Sequence, residues 1–225
     1  MLCTDELRMQ IATRMGRFER LDAQAQGHEQ VLKAAAVAIV VTDVGPGTHL
    51  PGIVDLAAGQ WSGEAALMLT RRAQTLRNHA GQWAFPGGRV DPGESLIECA
   101  LREMHEEVGV VLPEAAVIGL LDDFVTRSGF CMTPVLVWGG EQLHTEHNPA
   151  EVASVHRIPL EEFMRADAPL LDATDTSEEP ILRMPVGDDY IAAPTAALIY
   201  QFREVALLDR QTRVGHFEQP EFAWR

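Results

Sequence analysis

"GGRVDPGESLIECALREMHEEVG", residues 87–109, sets Glu94, Glu98, Glu103, Glu106 and Glu107 in one stretch that otherwise has the pattern of a helix. Asp91, Pro92, Gly93 and Glu94 have the order of a helix start: a cap, a proline at the first position and a glutamate as in a capping box. Gly109 supplies the stop. Between them Ile97, Leu101, Met104 and Val108 recur at helical spacing and predict the buried stripe. Glu103, Glu106 and Glu107 share another face, roughly opposite, because positions i, i+3 and i+4 are neighbours on a helix. Like charges at this spacing cost a solvated helix about a few tenths of a kcal/mol, and more where water is excluded. Charge runs mostly face solvent without further purpose. Here, however, a glycine turn, Arg102 beside Glu103, and Gly109-Val110 stand at fixed offsets around the acids. A divalent cation would turn the repulsion into attraction. Hard carboxylate oxygens suit Mg²⁺ or Mn²⁺, with waters or substrate phosphates completing the octahedron.

The rest of the chain bounds what such a platform serves. Its 225 residues, 46% hydrophobic and 23% charged, suffice for one substantial core and predict a single domain, 1–225, with a helix added at the N-terminus and a helix and tail at the C-terminus. No stretch approaches the roughly 20 apolar residues of a membrane helix, and "MLCTDELRMQ" lacks a signal-peptide pattern, so a cytoplasmic protein is expected. A net charge of −15 argues against nucleic acid and anionic membrane as partners. A polyanionic substrate would need local arginines, and Arg71, Arg72 and Arg77 precede the acidic helix, whereas Lys33 is the only lysine of the chain. Cys3, Cys99 and Cys131 have no CxxC spacing and read as buried free thiols.

Thr4 caps an expected first helix through Leu7, Ile11, Met15 and Phe18. "AAAVAIVVTDV" reads as a buried strand, "THLPGIVDLAAGQWSG" as a long loop, "EAALMLTRRA" as a second strand and "WAFPGG" as a third, ending at a glycine turn. "VIGLLDDFVT" and "CMTPVLVWG" form a later pair, "DATDTSEEP" an exposed loop, "ILRMPVGDDYIAA" a hairpin, and "PTAALIYQFREVALLDR" a helix with proline near its start. The aromatic tail "HFEQPEFAWR" is expected to pack on its own domain or on a partner subunit. Strands interspersed with a few helices predict a mixed α/β layer fold.

From Gly88 to Val110 the residues run G-x5-E-x7-R-E-M-H-E-E-V-G-V, which resembles the Nudix box at every defined position. "MLTRRAQTLRNHAGQWAFPGG", Met68 to Gly88, is similar to the motif of the coenzyme A pyrophosphatase branch, as are "LLDDFVTRSGFCMTPV" and "NPAEVASVHRIPL". Two places depart from that branch: Ala73 replaces a usual serine, and "YIAAPTAALI" lacks a Trp-Gly in a region that can line the pocket. The resemblance implies an α/β/α sandwich around a mixed sheet and hydrolysis of a nucleoside diphosphate linked to another moiety. For this branch that is coenzyme A or its thioesters, cut to 3′,5′-ADP and 4′-phosphopantetheine.

The resemblance also implies roles. Glu103, Glu106 and Glu107 would ligate the metal with a carbonyl of the Gly87-Gly88 turn, and Arg102 and Glu94 would brace one another. The base would be Glu103 or a later glutamate, Glu146 or Glu151. Arg72 and Arg77 have the spacing of phosphate clamps, for which a planar guanidinium is suited. His79 is either a substrate contact or a turn residue, Phe85 either lines the pocket or plugs the core, and His105 faces solvent. Trp61 and Trp83 either stack an adenine or pack the core and rim. Assembly is left open, a homodimer included. Two other readings stand beside this one: a Nudix diphosphatase for ADP-ribose or NADH, and a Nudix-fold nucleotide sensor. Sensors usually lose the box glutamates, and all of them are present here.

Overall fold

A computed structural model describes residues 1–28, 31–53, 56–57, 59–174 and 177–220. In chain order it contains α1 (Asp5–Met15), β1 (Lys33–Asp43), β2 (Ala65–Arg72), β3 (Trp83–Ala84), β4 (Gly87–Arg89) and α2 (Leu96–Val108). There follow β5 (Val117–Leu120), β6 (Phe124–Val125), β7 (Phe130–Gly140), β8 (Val152–Pro159), β9 (Leu170–Thr174), β10 (Ser177–Val186), β11 (Asp189–Ala192) and α3 (Thr195–Phe202). A single π-turn, Arg203–Leu207, continues α3.

β1 is the centre because both of its faces are covered. Ala36, Ala38 and Val40 pack with Cys99, Ala100, Met104 and Val108 of α2. Val37, Ile39 and Val41 alternate with them and join the opposite core, with Leu7 and Ile11 of α1 and Leu198, Ile199 and Phe202 of α3. A strand buried on both sides reads as a continuous apolar run. The large sheet has the order β3-β2-β1-β7-β5, with β4 on β1, β6 on β7 and β8 on β2; β9, β10 and β11 make a separate sheet. β1 runs parallel to β7 and antiparallel to β2 and β4. The expected α/β/α sandwich around a mixed sheet is therefore the observed architecture.

Most of the expected elements stand, including α1 with the Thr4 hydroxyl accepting from Leu7 N. Four readings need correction. Gly87 and Gly88 do not form a turn: they belong to β4, opposite Val37 and Ala36 of β1. The acidic helix starts at Leu96, capped by Ser95, and not at Asp91, because Gly93 has φ +86° and breaks the helical path before it. Its buried face is Cys99, Ala100, Met104, Glu107 and Val108, so the stripe is rotated from the expected one and Ile97 and Leu101 lie at its margin. Much of the expected 172–180 loop is strand, in β9 and β10, and its residues 175 and 176 lie outside the described residues.

The tail packs on its own domain over 217–219; residues 221–225 lie outside the described part. The cysteines are free, with Cys131 half-buried and the other two buried. Burial pushes the thiols of Cys3 and Cys131 up to about 12 and that of Cys99 to about 11. No helix among the described residues is long and apolar enough to cross a membrane.

Candidate active site

α2 is held at both ends by local chemistry. Ser95 Oγ accepts from Glu98 N at 3.2 Å, and Ser95 N donates to Glu98 Oε2 at 2.8 Å, a complete capping box. Gly109 closes the helix in the left-handed region at φ 71°, its N–H donating to His105 O. Between these ends Arg102 is the hub. It donates to Glu94 through Nε at 2.7 Å and Nη2 at 3.0 Å, to Glu103 Oε1 at 2.8 Å and to Glu106 Oε2 at 3.1 Å. The Arg102 guanidinium holds the Glu94 carboxyl down at about 2. Glu94 and Arg102 thus come together as the resemblance implies, while Glu94 caps the Asp91 N–H of its own turn and not the helix.

The three box acids occupy three different environments. Glu106 is largely exposed, with 54% of its side chain open. Glu103 is partly covered, and burial raises its carboxyl against the pull of Arg102. Glu107 is 5% exposed, and burial pushes its carboxyl up to about 8; Arg72 opposes that rise, and Glu103 and Glu151 add to it. Glu151 therefore sits close enough to act on both Glu103 and Glu107. Glu146 is exposed at the end of α2, its N–H donating to Val108 O and its backbone packed on Gly109. Position 88 must be glycine for the same cluster: a Cβ there would lie 2.2 Å from Glu103 Oε1.

On the other side of β4 opens a cavity of about 490 Å³ that includes Gly87, Gly88, Arg89, Arg72 and His79 in its wall. The Nε of Arg72 is buried and has no hydrogen-bond partner among the described residues, so this guanidinium keeps donor capacity beside the acids. Arg71 is already committed: it stacks on Trp83 at 3.9 Å and pairs with Asp189. His79 takes the left-handed conformation, φ 57°, and burial, helped by Arg72, holds its imidazole below the usual range. Arg77 is exposed and does not contribute to the cavity wall. Phe85 fulfils both of its readings, lining the cavity and belonging to the core at 4% exposure. Trp83 lines the cavity too, whereas Trp61 stacks with Arg157 and His144 away from it. His105 is exposed, as expected.

Gln219, from the tail, is a wall residue that sequence reasoning did not reach. Two stretches did carry a signal: "LLDDFVTRSGFCMTPV" holds Thr126 and Ser128 of the β6–β7 turn, and "YIAAPTAALI" holds Tyr190, Ala192, Ala193, Pro194 and Thr195, all of which form wall. Among the described residues no group of three or more His, Cys, Asp and Glu is gathered for a metal ion, and Glu106 is turned to Arg102. The donor chemistry nevertheless fits a hard divalent cation. Glu107 is a buried carboxyl whose charge the protein's own cations do not compensate, with Glu103 and Glu151 adding negative potential beside it.

Comparison with known proteins places this geometry in context. A NUDIX domain model matches residues 52–180. The chain is 39% identical over 153 residues to the uncharacterized Nudix hydrolase NudL of Citrobacter koseri, covering 67% of this chain and 70% of that protein. It is 46% identical over 103 residues to NudL of Yersinia enterocolitica, covering 45% of this chain and 53% of that one, so the match spans about half of that relative. The crystal structure of a MutT/nudix family protein from Enterococcus faecalis superposes with a TM-score of 0.53 at 16% identity, over 84% of this chain and 67% of that one, a likeness of fold.

Proposed function

The chain belongs to the NUDIX domain family, and from that premise we propose that it is a metal-dependent pyrophosphohydrolase whose substrate is coenzyme A or its thioesters. The observation that carries the reading is the placing of a buried acid, Glu107, near Glu103 and Glu151 and within reach of the charge of Arg72, a cavity-wall residue whose Nε is buried with no hydrogen-bond partner among the described residues. Carboxylates on one side and a guanidinium on the other suit a diphosphate, which needs its oxygens neutralised before a nucleophile can approach. The motif from Met68 to Gly88 supports the coenzyme A assignment.

Glu103 and Glu107, with Glu106 and a carbonyl of Gly87 or Gly88, would hold the divalent cation, Mg²⁺ or Mn²⁺. When bound, such a cation neutralises phosphate charge and acidifies water. The chain's own residues do the rest. Arg102, fixed by Glu94, keeps Glu103 oriented. Arg72 binds phosphate oxygens from the cavity side, a fixed donor where negative charge accumulates. Glu103 or Glu151 accepts the proton of the attacking water; the charge of Glu151 reaches the cluster, which favours it over Glu146. We place the N-terminal helix and the C-terminal extension within the same single domain.

A substrate panel tests this. With Mg²⁺ or Mn²⁺, product chromatography should show faster hydrolysis of coenzyme A than of dephospho-coenzyme A or ADP-ribose. Faster turnover of ADP-ribose would overturn the substrate, and a silent panel would overturn hydrolysis itself.

A further inference from the structure

The cavity has two chemically different ends. At one stand Arg71, Arg72 and His79, on or just beyond β2. At the other stand Thr126, Ser128 and Phe130 of the β6–β7 turn, with Gln219. β1 lies between, so two to three strand spacings put the ends roughly 10 to 14 Å apart. The second end offers hydroxyls and apolar surface; Arg127 and Glu218 beside it are paired with each other, and Arg89 of the wall and Lys33 both stack on Phe130.

The walls at this end belong to different sheets: the turn to the large one, and Ala192 of β11, opposite Arg183 of β10, to the small one. Residues 217–219 tie them together. On the small-sheet side, Glu218 N donates to Pro180 O at 3.0 Å, and Glu218 bridges Ile181 of β10. On the turn side, the Glu218 carboxylate accepts from Arg127 Nε at 2.7 Å and from its Nη2. Gln219 Oε1 accepts from Arg127 N at 3.2 Å, and its Nε2 donates to Val125 O at 3.1 Å. Both side chains are nearly buried, at 7% and 6% exposure. A forked ion pair and an amide used at both ends are directional, so they fix a distance as well as an attachment.

We propose that this C-terminal strap sets the width of the cavity at the β6–β7 turn, with Glu218 as a positioning residue and Gln219 as a specificity-determining one for diphosphates that carry a long second arm. The inference rests on the diphosphate reading above, but its test does not require turnover. Titration calorimetry with Ca²⁺ supplying the divalent charge would compare 3′-phosphoadenosine 5′-diphosphate, the nucleotide half alone, with coenzyme A, which adds the arm. The parent should bind coenzyme A more tightly. Gln219→Ala and Glu218→Gln should each weaken coenzyme A at least tenfold while moving 3′-phosphoadenosine 5′-diphosphate less than twofold.

Equal weakening of both ligands, no weakening, or a parent that does not distinguish them would overturn the strap's role. If Glu218→Gln does not fold, Gln219→Ala decides alone, since it leaves the ion pair in place. A parent that hydrolyses nothing yet shows the selective loss would remove the hydrolase reading and leave the strap standing.

Discussion

Two adjacent glycines of β4 fail in different ways when given a side chain. A Cβ at Gly87 would meet the Ala36 carbonyl oxygen at 2.4 Å, a backbone atom that cannot swing aside; at Gly88 it would meet the Glu103 carboxylate, the far end of a flexible side chain. Gly87→Ala should therefore lower the melting temperature, and Gly88→Ala should spare it while displacing Glu103 and cutting turnover. Parallel thermal denaturation and initial rates would show the two losses separating; a shared loss of stability would contradict the geometry. Glu107→Gln keeps volume and removes a charge, so kcat/KM should fall on the order of a hundredfold or more with the fold retained. Unchanged turnover would exclude Glu107 from the reaction. Burial of Glu107 was not legible beforehand, because a helical wheel shows which acids share a face and not which of them the rest of the chain covers.

At the scale of elements, α2 depends on its own ends. Ser95→Ala removes the acceptor for Glu98 N and should cost about 1 kcal/mol, read as a lower urea midpoint at unchanged m. An unaltered midpoint would mean that the capping box contributes nothing. The sequence holds two capping patterns close together, Asp91–Glu94 and Ser95–Glu98, and local chemistry does not rank them; the positive φ of Gly93 does. β1 was readable because burial on both faces demands a continuous apolar run. β4 was not, since two glycines carry no strand signal and their pairing partner lies some fifty residues earlier, at Ala36 and Val37. The polar stretch at the start of β10 misled for a related reason: only the later residues of that strand, Leu182, Met184 and Val186, enter the core, so those before them carry no apolar alternation.

The molecule as a whole should respond to acid through His156. Its Nδ1 donates to the Thr48 carbonyl at 3.0 Å, which leaves Nε2 to accept from Ser154 Oγ at 2.8 Å, a neutral ring at 4% exposure. Burial holds the imidazole at about 4, below its ordinary 6.5. The unfolded chain thus takes up its proton first, so stability is intact above about pH 6.5 and falls as pH drops toward 4. At about 1.4 kcal/mol per pH unit the loss approaches about 3 kcal/mol. Urea midpoints followed across that window should fall more steeply for the parent than for His156→Gln, and equal slopes would remove the histidine from the account. Finally, thiols held near 11 to 12 are almost wholly unionised at neutral pH, and only the thiolate attacks electrophiles. A maleimide dye would therefore find an introduced cysteine, for example Arg77→Cys on the exposed rim, well before it found Cys3, Cys99 or Cys131. Fluorescent reporters can be attached at chosen points without first stripping out the native sulfur.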